Sequence, residues 1–307
     1  MTVDLSTTLG SFNLSTPVLT ASGCAASGKE LDSFFDITSI GGIVTKSIMQ
    51  NARSGRPTPR MVETPSGMIN SIGLQGPGID EFIEKDLAWL QERGVTTVVS
   101  IAGNTSEEFV RIARRLQSHP AVGAIEINIS CPNVSNRGLV FACAPQSASE
   151  VVGQVRRAVG NDVVLLAKLT PDVTDITEIA RAVQIAGADG VSVINTLLAM
   201  SISSETLKPT LGGITGGLSG PAIRPIAVRC VYQIHQALPS LPILGMGGIR
   251  SGKDALEFIA AGASAVSIGT ATFGDPLAPL RIQKELTEEL SRHGISSVSD
   301  AVGIAHG

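Results

Sequence analysis

The chain has 307 residues, 43% hydrophobic and 16% charged, with a formal net charge of −4. That length buries a large core and fits one sizeable α/β domain spanning residues 1–307, without a linker or low-complexity break. One Trp, one Tyr and no basic run argue against nucleic acid as a partner, whereas 33 glycines suit tight turns and close backbone approach to a ligand.

The N-terminus, MTVDLSTTLG, carries neither a basic segment nor a long apolar run. No signal peptide or membrane helix is expected there, and a reducing cytoplasm is the expected location. Residues 1–15 read as a short β-hairpin turned at Gly10. An apolar strand, a loop rich in Gly, Ser or Asn and an amphipathic helix then recur along the chain. The strands fall at Pro17–Ala21, Gly42–Thr45, Thr97–Ile101, Ala124–Ile129, Val163–Lys168, Gly190–Asn195, Pro242–Met246 and Ala265–Gly269. Helices are expected over Ile79–Arg93, Ser106–Ser118, Ser147–Val159, Ile176–Ala186, Pro221–Ala237, Lys253–Ala261 and Leu277–Arg292. Eight such strands alternating with helices predict a parallel sheet closed as a (β/α)8 TIM barrel. An open doubly wound sheet is the alternative, but no G-x-G-x-x-G follows the first strand. Two connections are long, Ser47–Ile79 and Leu197–Gly220. Their apolar residues and glycines point to ordered loops at the C-terminal face of the barrel, near a site.

A barrel of this kind keeps its site at the C-terminal strand ends. Those ends carry Ser22-Gly23, Lys46-Ser47, Gly103-Asn104, Asn128, Lys168, Asn195-Thr196, Gly247-Gly248 and Gly269-Thr270. The last two loops place glycine N–H groups beside a helix start, a pattern that suits a phosphate. Lysines at a barrel mouth call for an anion, a polarisable ring or a salt bridge; Schiff-base chemistry at Lys168 is a further alternative. The histidines, His119, His235, His293 and His306, all lie away from the strand ends, and no His/carboxylate cluster suggests a metal. No C-x-x-C pair occurs among Cys24, Cys131, Cys143 and Cys230, so neither zinc nor an iron–sulfur cluster is expected in this chain. The remaining proton acceptor at a strand end is Cys131, although a lone thiol also serves as a small buried hydrophobe.

Several stretches together resemble the class 1 dihydroorotate dehydrogenases. These are T-A-S-G (20–23), V-T-K-S-I (44–48), N-S-I-G-L-Q-G-P-G (70–78), I-N-I-S-C-P-N-V (127–134), A-K-L-T-P (167–171), V-I-N-T (193–196), G-G-L-S-G-P-A-I (216–223), G-M-G-G-I (245–249) and S-I-G-T-A (267–271). The Q-G-P-G and G-G-L-S-G-P-A-I pieces look most like the catalytic subunit of class 1B. The resemblance implies a barrel holding flavin mononucleotide (FMN) that oxidises dihydroorotate to orotate in de novo pyrimidine synthesis. It implies Cys131 as the base, with Lys46 beside it in the catalytic set. Lys46, Asn70, Ser71, Ile72, Gly73, Leu74, Asn128, Asn133, Asn195 and Thr196 look like the substrate set. Ser22, Lys46, Ser47, Asn104, Asn128, Lys168, Ile194, Gly220, Gly247, Gly248, Gly269 and Thr270 look like the flavin contacts. Class 1B further implies a partner subunit carrying FAD and a [2Fe–2S] cluster, delivery of electrons to NAD, and a homodimeric core within a heterotetramer. The alternatives within flavin barrels are a fumarate-reducing class 1A enzyme and a dihydropyrimidine dehydrogenase subunit. One stretch departs from the family: after Asn133 it usually continues G-G and then F-G-T-D-P, whereas this chain has Ser135–Pro145, S-N-R-G-L-V-F-A-C-A-P.

Overall fold

The computed structural model describes residues 3–130 and 141–307. The chain opens with an antiparallel hairpin, β1 (Thr7–Leu9) and β2 (Phe12–Leu14), turned at Gly10, which has φ +63. Eight strands then close into a parallel barrel in sequence order. They are β3 (Val18–Thr20), β4 (Gly42–Val44), β7 (Thr97–Ile101), β8 (Ala124–Asn128), β9 (Val164–Leu169), β10 (Gly190–Val193), β13 (Ile243–Met246) and β14 (Ala265–Ile268). Their β-branched runs suit strands covered on both faces. Each expected strand is present, with ends moved by up to two residues.

The side-chain period of two divides the strands, β10 apart, between two apolar clusters. Leu19, Val44, Val98, Ala124, Val164, Leu166, Leu244 and Ala265 pack together with Leu9 and Leu14 of the hairpin. The hairpin therefore contributes to the interior packing of the barrel rather than extending its sheet. The alternate residues, such as Val99, Ile125, Ile127, Leu165, Ala167 and Val191, pack with the surrounding helices. Gly123 lies against Phe12 so closely that a Cβ there would sit 2.1 Å from the ring.

The helices follow the expected pattern with local differences. The stretch expected as one helix from Ile79 is π-helical over Phe82–Leu87. The helix expected from Ser147 starts at Pro145, where proline's missing N–H costs nothing. The helix Ser106–Leu116 is capped by Thr105, whose side chain accepts from the Glu108 N–H.

The two long connections form more than loops. Each supplies a pair of strands to one four-stranded antiparallel sheet: β5 (Met61–Thr64) and β6 (Gly67–Asn70) from the first, β11 (Leu197–Met200) and β12 (Thr215–Ser219) from the second. The order is β11-β12-β6-β5, so β6 and β12 join the two connections, with Asn70 opposite Gly217. Glycine is what permits this approach. A Cβ at Gly216 would lie 2.4 Å from the Asn70 carbonyl oxygen, and one at Gly217 would lie 1.9 Å from Thr196 Oγ1.

Candidate active site

A cavity of about 380 Å³ opens at the C-terminal ends of the barrel strands, bounded on one side by this sheet. Its size is that of a small-molecule or cofactor site. Lys46 and Ser47 reach it just past β4, Asn128 from the last position of β8, and Lys168 from within β9. Ile194, Asn195 and Thr196 reach it between β10 and β11, and Asn70 from the end of β6.

The polar side chains are tied together. Asn128 donates through Nδ2 to Ser47 Oγ at 2.9 Å and accepts through Oδ1 from Asn195 Nδ2 at 3.3 Å. Asn195 also donates to Ser130 Oγ at 2.8 Å, and its Oδ1 accepts from the Thr196 N–H at 2.8 Å. Asn70 donates to the Gly217 carbonyl at 3.3 Å, which fixes its amide against the sheet. Ser47 Oγ lies 2.8 Å from Ser100 Oγ, and Ser100 donates to Glu126 Oε1 at 2.9 Å. The same carboxylate oxygen lies 3.5 Å from Lys168 Nζ. Amides locked in this way present a fixed set of donors and acceptors, which suits a flat ring bearing carbonyls and N–H groups.

Sequence reasoning left the partner of Lys168 open; it is Glu126, a residue given no role there. The sequence held only half of the signal, the spacing along one strand; the register between strands shows only in the structure. Glu126 and Asn128 are two apart on one strand and so share a face, and Asn128 is paired in register with Lys168. Ser100 and Ser130 were missed as well, as was Arg250, an exposed cation that lines the cavity. Cys24 also lines it. Burial pushes its thiol up to about 11, against the opposing pull of Lys168 and Lys46.

Of the residues expected at the site, Ser22, Lys46, Ser47, Asn70, Ile72, Gly73, Leu74, Asn128, Lys168, Ile194, Asn195, Thr196, Gly220, Gly247, Gly248, Gly269 and Thr270 line this one cavity. Ser71 is buried outside the lining, with its N–H donating to the Arg60 carbonyl at 2.7 Å. Asn104 is outside it too. Its N–H and its amide both donate to Glu108 Oε2, at 2.7 and 3.0 Å. Cys131 and Asn133, with Ser135–Val140 of the departing stretch, lie outside the described residues. The end of that stretch, Phe141–Cys143, forms a 3-10 turn, and Phe141 meets the Phe109 ring edge-on at 6.2 Å. Among the described residues, no three His, Cys, Asp or Glu gather to hold a metal ion.

The glycine loops can be tested against a flavin phosphate. Gly220, Gly247 and Gly248 have φ of +93, +134 and +78, and a Cβ on Gly248 would lie 2.6 Å from the Gly220 carbonyl oxygen. Gly23, at φ +89, has nothing within 4 Å of a Cβ position, so glycine there leaves the cavity open. This backbone lining with Lys46, Lys168 and Arg250 fits an anionic, ring-bearing ligand. The helix start expected to help is already engaged. At Gly252–Ala260 the Gly252 N–H donates to Glu285, and Ser251 and Asp254 cap each other reciprocally. The backbone left to face the cavity is that of Gly247-Gly248 and Gly269-Thr270.

The family model described as Dihydroorotate dehydrogenase matches residues 4–290. The chain is 47% identical over 300 residues to a protein of Geotalea daltonii named "Dihydroorotate dehydrogenase B (NAD(+)), catalytic subunit", covering 98% of this chain and 97% of that one. Proteins of the same name from Geobacillus sp. and Desulforamulus reducens are each 46% identical. They cover 97% and 100% of this chain, and 95% and 100% of their own lengths.

Proposed function

The chain belongs to the dihydroorotate dehydrogenase family, and from that premise we propose that it oxidises dihydroorotate to orotate in pyrimidine biosynthesis, as the FMN-bearing catalytic subunit of a class 1B enzyme. The observation that carries the reading is the single cavity where Lys46, Asn70, Asn128, Asn195 and Thr196 meet Lys168 and the glycine loops. FMN, when bound, supplies the acceptor for the hydride that the substrate loses.

The chain's own residues do the rest. Lys46 is the cation for the substrate carboxylate, and the amides of Asn70, Asn128, Asn195 and Asn133 hold the pyrimidine ring, with Thr196 and the 71–74 backbone beside them. Because Asn128 and Asn195 are fixed by Ser47 and Ser130, the ring is held without further side-chain ordering, which favours reaction. Gly220, Gly247, Gly248, Gly269 and Thr270 would hold the flavin phosphate, and Ser22, Ser47, Lys168 and Ile194 its ring. Lys168 would offset the negative charge that a reduced flavin carries. The Cys131 thiolate removes the proton from C5 of the substrate. A thiol has a reference value of about 8.5, lowered by nearby cations, so the rate of proton removal rises with pH as it ionises. A partner subunit carrying FAD and a [2Fe–2S] cluster would supply the route to NAD, in a cytoplasmic heterotetramer built on a homodimeric core.

The test is Cys131→Ala. The variant should purify yellow, with FMN bound, and should lose flavin reduction by dihydroorotate by about 10²-fold or more, the usual contribution of a positioned base. A yellow variant reduced at near wild-type rate would overturn the assignment.

A further inference from the structure

Glu126 is an acidic side chain sealed inside a barrel whose cavity is otherwise arranged for anions. Its side chain is 0% exposed, and that of Lys168 is 5% exposed. It does not line the cavity; it lies behind Lys168, on the next strand of the barrel. Burying a carboxylate is costly unless it is paired and hydrogen-bonded, and removing one partner leaves the other charge uncompensated. Glu126 Oε1 has both kinds of partner, Ser100 at 2.9 Å and Lys168 at 3.5 Å. Oε2 is buried with no hydrogen-bond partner among the described residues. The carboxylate is thus held by one oxygen, and that oxygen belongs to two networks. Through Ser100 and Ser47 it reaches Asn128 and Asn195, the proposed substrate amides. Through Lys168 it reaches the proposed flavin ring.

We propose that Glu126 is a positioning residue for the redox centre: it anchors Lys168 and offsets part of its charge, and so sets how strongly the site favours reduced flavin. A purely structural carboxylate would keep the barrel folded without affecting that balance. Glu126 instead faces the one buried lysine at the mouth of the barrel, and it shares an oxygen with the chain of hydroxyls that fixes the substrate amides. The inference rests on FMN occupying the cavity.

The experiment measures the midpoint potential of bound FMN by dye equilibration, without substrate, in wild type and Glu126→Gln. Glutamine keeps the shape and an oxygen for Ser100, and removes the charge. With Lys168 uncompensated, the reduced-to-oxidised ratio at fixed potential should rise at least tenfold, an upward shift of about 30 mV for a two-electron couple. Ser100→Ala supplies an independent arm that keeps the carboxylate. It frees Oε1 for Lys168 alone and should move the potential downward. A yellow Glu126→Gln protein whose potential is unchanged or lower would overturn the inference and leave the flavin reading intact. If that variant does not fold, an unmoved or raised potential in Ser100→Ala overturns it. A wild-type chain that takes up no FMN would overturn the flavin reading and this inference with it.

Discussion

Gly217 is the place where the sheet beside the cavity and the proposed substrate site press on one another. A Cβ there would lie 1.9 Å from Thr196 Oγ1 and 2.6 Å from Thr196 Cβ. That is roughly 1.5 Å short of ordinary contact, so Gly217→Ala must displace Thr196 or push β12 away from it, and overpacking of this kind costs about 1–3 kcal/mol. The strain does not stay local. The Thr196 N–H donates to Asn195 Oδ1 at 2.8 Å, and Asn195 in turn bonds Ser130 and Asn128. Asn70 loses its acceptor geometry as well, since its amide donates to the Gly217 carbonyl. A shift of about 1 Å in groups that position a substrate is worth on the order of 10²-fold in rate. Gly217→Ala should therefore lower kcat/KM for dihydroorotate by about 10- to 100-fold while FMN stays bound, because the glycine loops proposed to hold the phosphate are not touched. Steady-state kinetics with FMN content measured on the same sample reads both quantities. Gly94→Ala is the control. Gly94 has φ +66 and open space around its Cβ position, and it is not part of the cavity lining, so alanine there brings backbone strain of about 1–2 kcal/mol without a clash. A Gly217→Ala enzyme within threefold of wild type, or a Gly94→Ala enzyme equally impaired in kcat/KM, would refute the link between sheet and site.

Two further outcomes follow from the titrating groups. Desolvation raises the half-buried Cys24 thiol to about 11, so at about pH 8 it should react with iodoacetamide more slowly than the exposed Cys143, as read by peptide mass spectrometry; labelling of Cys24 as fast as Cys143 would contradict that shift. Burial, and secondarily His306, lowers the value for His235, so the unfolded chain takes up a proton there more readily than the native one. Its contribution to stability is present above the unfolded value near 6.5 and is lost as pH falls through the lower native value. The Tm should fall on acidification through that window, and less so in His235→Gln; an equal fall in both would remove His235 from the account.

Much of the barrel was legible because it is written in residue type. Runs such as TVVSI and VLLAKL leave little but a buried strand, and the turn at Gly10 separates the two halves of the hairpin. The four-stranded sheet was not legible in the same way. Its two central strands read GMIN and TGGLS, where glycines lower strand propensity, and they are there because two backbones and Thr196 come too close for a Cβ. Only the pairing of two segments almost 150 residues apart explains them. The strand ends announced Lys168, Asn128 and Asn195 through residue type, but the acid that serves Lys168 sits mid-strand in AIEIN. One charged residue between isoleucines has no partner in sight along its own strand, and Lys168 meets it only when the barrel pairs β8 with β9. The helix start at Gly252 offers the opposite case: its pattern suited a phosphate, yet Glu285, from a helix distant in sequence, already accepts from its first N–H.

The central claim is that the cavity oxidises a pyrimidine ring bearing a carboxylate, with Lys46 as that carboxylate's partner. It is tested most directly by mixing the FMN-loaded chain anaerobically with dihydroorotate or with dihydrouracil, which lacks the carboxylate, and following the flavin's visible absorption band. Dihydroorotate should bleach the band and dihydrouracil should leave it unchanged. Bleaching by dihydrouracil with none by dihydroorotate would contradict the account and assign the cavity to uncarboxylated pyrimidines.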